Sequence, residues 1–423
     1  TGTTIVNNGT QTGFGRTGTV DWDTTPKTTG FTAVSGNGYF VNTTAGAITV
    51  NLPAGSAGAI VSLADYAGTW QTNNLTVVPN GTDKIGSLNE NAILNVEGQS
   101  VTLVYVDGTQ GWINTMDSTS NVRGAIPFIA ATGGTITTVC TNYKVHTFTG
   151  PGTFTVTAAG TPAGSTTVDY MVVAGGGAGG GTLTGTAGGA GGGGAGGFRE
   201  SSGVASGSYT VSPLGACVSA LPVSVQGYTI TIGGGGAGNT NNQGSNGLNS
   251  TFSTITSAGG GGGGSRGPTD PSANGLSGGS GGGSGHGTTG SSVPGGSGNT
   301  PPVSPPQGQN GANFPSGIAG GGGGGGAGGA SANANGGNGI TTSINATPTT
   351  RAGGGGGANG SNAGLAGPGG GGAGNAACGG IGGVGTINTG SGGGGSGDKG
   401  GGGPSIAGGA GGSGIVIIRY KFQ

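Results

Sequence analysis

Charge is nearly missing from this chain. Of its 423 residues, 11 are Lys or Arg, 12 are Asp or Glu and two are His, for a formal net charge of −1. A protein that grips nucleic acid by neutralising phosphates needs a basic surplus, so that class is excluded. Aromatic residues make up 5% and apolar residues 30%, which is too little for one large oily core. Long hydrophobic runs are absent too. The clean apolar patches are as short as Met171–Ala174 and Ile415–Ile418, far below the roughly 18 residues a membrane-spanning helix needs. No basic segment followed by an apolar one opens the chain, so no secretory signal is visible. Cys140, Cys217 and Cys378 lie far apart with no CxxC spacing. Two His cannot complete a typical zinc set. The cysteines read as buried free thiols, with one disulfide as the alternative.

Catalytic constellations are missing as well. GxGxxG recurs from residue 175 onward, but at this glycine density it carries no information. A dinucleotide site needs a following helix and an acidic ribose partner. Lys399, in Gly397-Asp398-Lys399-Gly400, lacks the flanking Gly and Ser/Thr of a phosphate loop. His146 sits in an alternating strand pattern and reads as structural. The sequence therefore points to no catalytic, cofactor-binding or metal-binding residue and to no enzyme.

What is present is glycine: 117 residues, against a usual share of roughly 7%. Only 24 of them precede Gly175, and 93 follow from there. Charges do the reverse, with Arg266, Asp270, Arg351, Asp398, Lys399, Arg419 and Lys421 alone beyond Glu200. The first part reads as strands. Ala47–Leu52, Leu75–Val78 and Ser100–Val106 alternate in period two, and Asp107-Gly108 before Gly111–Asn114 is a hairpin signal. This gives an extended N-terminal arm over 1–29, a small antiparallel β domain over 30–120, a linker over 121–140 and a glycine-rich domain over 141–423. In the last of these, strand-like pieces recur: Tyr143–Thr149, Thr153–Thr157, Thr167–Ala174, Ser208–Val211, Tyr228–Ile232, Asn249–Ala258 and a closing strand at 414–422. A tail ending in Ile-Val-Ile-Ile-Arg-Tyr-Lys-Phe needs burial.

The glycine runs admit three readings. Collagen, which needs Gly strictly every third residue, is excluded by Gly320–Gly326 and Gly353–Gly357. Flexible coil is the usual fate of such composition. The third reading is a stack of left-handed helices of the polyproline-II type made of glycine, bonded to one another because each has no internal hydrogen bonds. Ordering costs about 1–2 kcal/mol per residue, and each inter-helix bond returns about 0.5–1.5. Order thus requires many packed helices with clamped ends, and the flanking strands are the clamps. The expected fold is all-β: the small antiparallel domain, then a glycine-rich β-sandwich-like domain carrying packed polyglycine-II helices. Disorder of the runs is the alternative.

Polar segments between the runs are the expected turns: 182–186, 239–246, 265–276, 286–314, 331–351, 359–365 and 386–391. The longest, His286–Phe314, contains Pro301-Pro302 and Pro305-Pro306 and reads either as a solvated loop or as a binding tip. His286, Pro301, Pro302, Phe314 and Arg351 are the candidate tip-loop contacts.

Several blocks carry a family likeness. They are Val145–Val156, Val168–Gly177, Gly192–Arg199, Tyr228–Gly236, Ser250–Phe252 with Ser257–Gly261, and above all Gly412–Tyr420. In this order they resemble the glycine-rich domain of tail-fibre-type proteins from marine and other tailed phages, over about residues 140–423. The resemblance implies a non-enzymatic virion fibre or adhesin with glycine-helix layers. It also implies a homotrimer, fibre or baseplate partners met through the N-terminal arm, and a host-surface polysaccharide or outer-membrane protein as receptor. Neither nucleic acid nor membrane insertion is implied. The chain would be made in the host cytoplasm and placed on a tail or fibre appendage. An ice-binding protein or a surface filament is the alternative.

Overall fold

The computed structural model describes residues 20–117, 128–182, 188–207, 209–215, 218–240, 242–266, 270–287, 292–314, 320–358, 363–375, 380–397 and 405–423. Contacts divide the chain into two units, Thr1–Ile126 and Pro127–Gln423. The all-β expectation holds: a single helical turn at Asp270–Ala273 and a 3₁₀ turn at Pro213–Gly215 are the helical elements among the described residues.

In the first unit the strands are where period two places them, but their directions differ from the expected antiparallel pairing. Asp21–Lys27, Asn37–Val41 and Ile60–Asp65 pair in parallel, followed by antiparallel Ser100–Tyr105 and Trp112–Asp117. A second sheet runs Phe31–Thr32, Ile48–Asn51 and Leu75–Val78 in parallel, then antiparallel Ala92–Leu94. Over its first six strands the chain alternates between the two sheets, so in that stretch a strand's in-sheet neighbour is the next but one and points the same way, while the last three strands return antiparallel. Alternation fixes which face is buried and is silent on direction. The winding encloses Val41, Leu63, Trp70, Leu75, Ile85 and Trp112, none of them solvent-exposed. The arm is shorter than expected, since residues 21–27 are an edge strand; residues 1–19 lie outside the described residues. At the expected hairpin the chain turns over Val106–Gly111, with Asp107 Oδ1 accepting from the Thr109 and Gln110 amides and the positive φ falling at Gly111.

The second unit begins with a sandwich. One sheet orders Ile129–Thr132, Gly152–Ala159, Gly227–Thr231, Ser250–Phe252 and Ile255–Ser257. The other orders Thr135–Val139, Tyr143–Phe148, Ile415–Lys421, Thr167–Val173 and Phe198–Glu200. Two strands thus replace much of the expected linker. Phe154, Phe252, Tyr170, Tyr420 and His146 interlock between the sheets in edge and tilted ring contacts. The far face of the second sheet buries Val145, Met171, Val173, Phe198, Ile415 and Ile417. Strands Thr167–Val173 and Ile415–Lys421 are covered on both faces, which is why they read as continuous apolar runs. The closing strand is central in its sheet, paired to Tyr143–Phe148 on one side and Thr167–Val173 on the other. Ser208–Val211 is not a strand over its described residues, and Cys140, expected buried, is an exposed free thiol with φ 47° at the turn after Val139. Cys217 and Cys378 lie outside the described residues.

The glycine runs leave the sandwich strands as extended helices, and their hydrogen bonds count in threes. In the run 174–182, Ala174, Gly177 and Gly180 donate to Gly197, Gly194 and Gly191. Gly175, Ala178 and Gly181 donate to Leu248, Ser245 and Asn242, and Gly176, Gly179 and Thr182 to Gly412, Gly409 and Ile406. The carbonyls of the same run accept from three further runs, through Gly260, Gly263 and Arg266, through Gly393 and Ser396, and through Gly236. Six neighbours around one helix is a hexagonal lattice. The runs 188–197 and 390–397 are surrounded in the same way. No glycine from 175 to 181 or from 189 to 197 has a positive φ, so the three-residue turn is left-handed polyproline-II geometry. Glycine is required by proximity: a Cβ on Gly193 would overlap the carbonyl of Gly177, and one on Gly177 would overlap that of Gly261.

Candidate functional site

Several runs have one end on the sandwich. Val173 passes into Ala174, Gly197 into Phe198, Ser257 into Ala258 and Gly414 into Ile415 without a break. The opposite ends gather in one place. Thr182 bridges to both Arg266 and Ile406, the His286 amide donates to Gly189 O, that of Ala358 to Ala190 O, and that of Ser396 to Gly180 O. The connections 183–187, 267–269, 288–291, 315–319, 359–362, 376–379 and 398–404 lie outside the described residues, and their flanking residues all stand at this far end. The expected turn at 182–186 falls largely among them.

At this end Arg266 and His286 converge over Gly188. A Cβ placed on Gly188 would lie 2.9 Å from Arg266 Nε and 2.9 Å from His286 Nδ1. Burial first, and then the Arg266 charge, hold the His286 imidazole below its ordinary pKa, so it is neutral at pH 7. Arg266 is itself buried, so the pair sets the charge just beneath the end face, with the half-buried His286 ring nearer solvent.

The expected contact residues do not form one site. His286–Phe314 is not a single loop: residues 294–299 and 307–314 are two further lattice helices, in which Gly296 donates to Gly282 O and Ala312 to Gly323 O. Ser, Asn and Pro interrupt their glycine and disguise them. The turn between them, with exposed Pro301 and Pro302, is therefore at the sandwich end, where Gln307 Oε1 accepts from Ala258 N at 2.8 Å and Gln307 Nε2 donates to Pro301 O at 2.9 Å. Phe314 is at the far end but buried, its amide donating to Ser284 Oγ at 2.9 Å. Arg351 is buried at the end of the Thr349–Arg351 strand, within a hairpin that occupies part of the expected 331–351 turn. Phe314 and Arg351 are thus corrected from surface contacts to packing residues.

Other charged groups serve the interior. Asp169 accepts from Ser201 Oγ and the Ser206 amide, each at 2.7 Å, and Glu200 from the Ser212 amide at 3.0 Å. Arg419 is clamped between the Tyr143 and Tyr209 rings, 4.6 and 5.0 Å from their centroids. His146 is buried, with Nδ1 2.7 Å from Gly133 O and Nε2 3.0 Å from Tyr420 Oη. Among the described residues no group of three His, Cys, Asp or Glu could hold a metal ion, and no helix is long and apolar enough to cross a membrane.

One surface was missed. Residues 363–368, 371–375 and 380–386 form an outer row of the lattice, each bonded to the next through Gly374 N to Gly364 O and Gly383 N to Ala373 O. Along its edge Ile381, Val384 and Ile387 are each about two-thirds exposed, as is Leu365 across the row. The spacing of three in Ile381-Gly-Gly-Val384-Gly-Thr-Ile387 was its signal, because three residues make one turn of this helix.

The chain belongs to the glycine-rich domain family whose model matches residues 147–421. No curated protein sequence matches it.

Proposed function

We propose that the protein is a non-enzymatic structural and adhesive segment of a tailed-phage fibre, in which the glycine bundle is a stiff support for host-surface contact. The observation that carries this reading is the register in threes. It locks Thr182, Arg266, His286, Ser396 and Ile406 into one end face opposite the sandwich, and loops held by a rigid scaffold are where binding residues concentrate. The order of the blocks, which resembles that of phage fibre proteins, supports the same reading. The partners are a second and third copy of the chain, neighbouring fibre or baseplate proteins through the N-terminal segment, and a polysaccharide or outer-membrane protein of the host. Immunogold labelling of virions with antibody to the purified chain is expected to decorate a tail or fibre appendage. Label confined to uninfected cells refutes the proposal. Light scattering is expected to give three times the chain mass.

A second reading rests on the outer row. Ile381 and Val384 stand one helical turn apart on an uncharged edge, with Ile387 following in the turn that ends the run, and an uncharged, regularly spaced edge of this kind suits ice. Thermal hysteresis in concentrated protein tests it, and its absence removes this reading.

A further inference from the structure

A lattice of this kind has edges. Each helix projects its amides in three directions, and on an outer helix one of those directions has no neighbour. Such a row of free N–H groups is a template for another extended chain, as the edge of a β-sheet is. Two rows, 294–299 at the surface and 258–266 buried just beneath it, are closed by the same device. In the run 258–266, Gly260 and Gly263 donate to Gly175 and Ala178, and Gly261 and Gly264 to Ser280 and Gly283. The remaining direction, that of Gly259 and Gly262, is met by Asn249 Oδ1 at 2.9 Å and Asn246 Oδ1 at 2.8 Å. In the run 294–299, Gly295 and Gly298 donate to Asn313 Oδ1 and Asn310 Oδ1, both at 2.8 Å. Here the asparagines lie along a groove of about 370 Å³ between this run, residues 310–313 and residues 330–332.

Both pairs are three residues apart, one turn of the helix that carries them, and run antiparallel to the glycines they cover. All four asparagines are exposed, where an amide side chain has no reason to be ordered unless it serves as an acceptor. Both pairs have the same local sequence, Asn246-Gly-Leu-Asn249 and Asn310-Gly-Ala-Asn313. Asn335-Gly-Gly-Asn338 repeats it, and Asn335 Oδ1 accepts from the Leu365 amide at 2.8 Å. The glycine between lets the carrying helix stay in the lattice. The asparagines supply, from its flank, the carbonyls that the next helix would have supplied.

We infer that Asn-Gly-x-Asn is an edge stop of the glycine lattice: its two side-chain carbonyls occupy the row where a glycine helix of a second copy would otherwise add. The test uses the full chain with Asn310→Ala/Asn313→Ala and Asn246→Ala/Asn249→Ala. Residue-resolved hydrogen exchange is expected to quicken about tenfold at Gly295 and Gly298, or at Gly259 and Gly262, while Gly296, bonded to Gly282 O, keeps its rate. Sedimentation velocity is expected to show concentration-dependent species larger than those of the unaltered chain. Asn310→Asp/Asn313→Asp keeps acceptor oxygens and adds charge, and is expected to sediment as the unaltered chain does. Where a double variant fails to fold, Asn313→Ala or Asn249→Ala alone is read at Gly295 or Gly259. Unchanged exchange at those glycines, unchanged sedimentation of the Ala variants, or association of the Asp variant equal to that of the Ala variant each overturns the inference.

Discussion

Adding one methyl group to the lattice separates a real close-packed bundle from a loose one. Gly193 is in the run 188–197, which has neighbours on all six sides. An Ala there would drive its Cβ into the Gly177 carbonyl. That atom is backbone and cannot swing aside, so the two helices must part. Their shared bonds are Ala174 to Gly197, Gly177 to Gly194 and Gly180 to Gly191, at 2.8–3.0 Å. Losing three at about 0.5–1.5 kcal/mol each costs about 1.5–4.5 kcal/mol. The stiffer unfolded chain returns about 0.4–1 kcal/mol, leaving a net loss of about 0.5–4 kcal/mol. Gly234 is the control. It lies in a lattice run too, yet a Cβ there meets nothing nearer than Leu248 Cδ1 at 4.0 Å, and Ala237, one turn on, already carries a methyl at an exposed position. Gly234→Ala is expected to stabilise by about 0.4–1 kcal/mol. Scanning calorimetry on both variants should give opposite shifts in melting temperature, at about 2–4 °C per kcal/mol or less. Equal stability of Gly193→Ala and the unaltered chain would refute the close-packed lattice.

Burial depresses the His146 pKa, against a smaller raising effect of its bond to Gly133 O. The unfolded imidazole, near 6.5, then binds protons that the folded one refuses. Stability from this residue is present above pH 6.5 and falls as the pH drops below it. Urea midpoints measured from pH 8 to 5 should decline, and His146→Gln should flatten the slope. Deleting residues 415–423 removes the central strand with buried Val416, Ile417 and Ile418, each worth about 1.5–3 kcal/mol. The glycine amides should lose exchange protection, while the fluorescence of Trp70 and Trp112, both in the first unit, stays unchanged. Ile381, Val384 and Ile387 are surface groups, so substituting each by Ser should move stability by no more than about 0.5 kcal/mol in a thermal melt.

Which parts of this were legible in the residues follows from what each pattern encodes. Period two in Ile48–Asn51 or Leu75–Val78 states which side chains face inward, and those strands formed where expected. It carries no direction, so the parallel winding of the first unit was hidden. The unbroken apolar runs at Thr167–Val173 and Ile415–Lys421 state burial on both faces, and both strands became the centre of their sheet. Helical glycine was legible wherever glycine was continuous. It was illegible over 294–299 and 307–314, because those helices sit at the rim, where one face meets water and Ser297, Asn310 and Asn313 stand exposed in place of glycine. The same rule explains the misplaced contacts. Proline at 301–302 marks a real turn, but which end of the bundle it occupies depends on counting helices, and two had been counted as loop. Arg351, a candidate tip-loop contact from the sequence, is buried in the unit that also holds buried Glu200, where the acid partly offsets the fall in its pKa caused by desolvation. In a lattice without side chains, position is set by the backbone count modulo three. The informative residues are therefore the ones that break glycine at that interval. Ile381, Val384 and Ile387 mark an outer face by it, and the paired asparagines mark where the lattice ends.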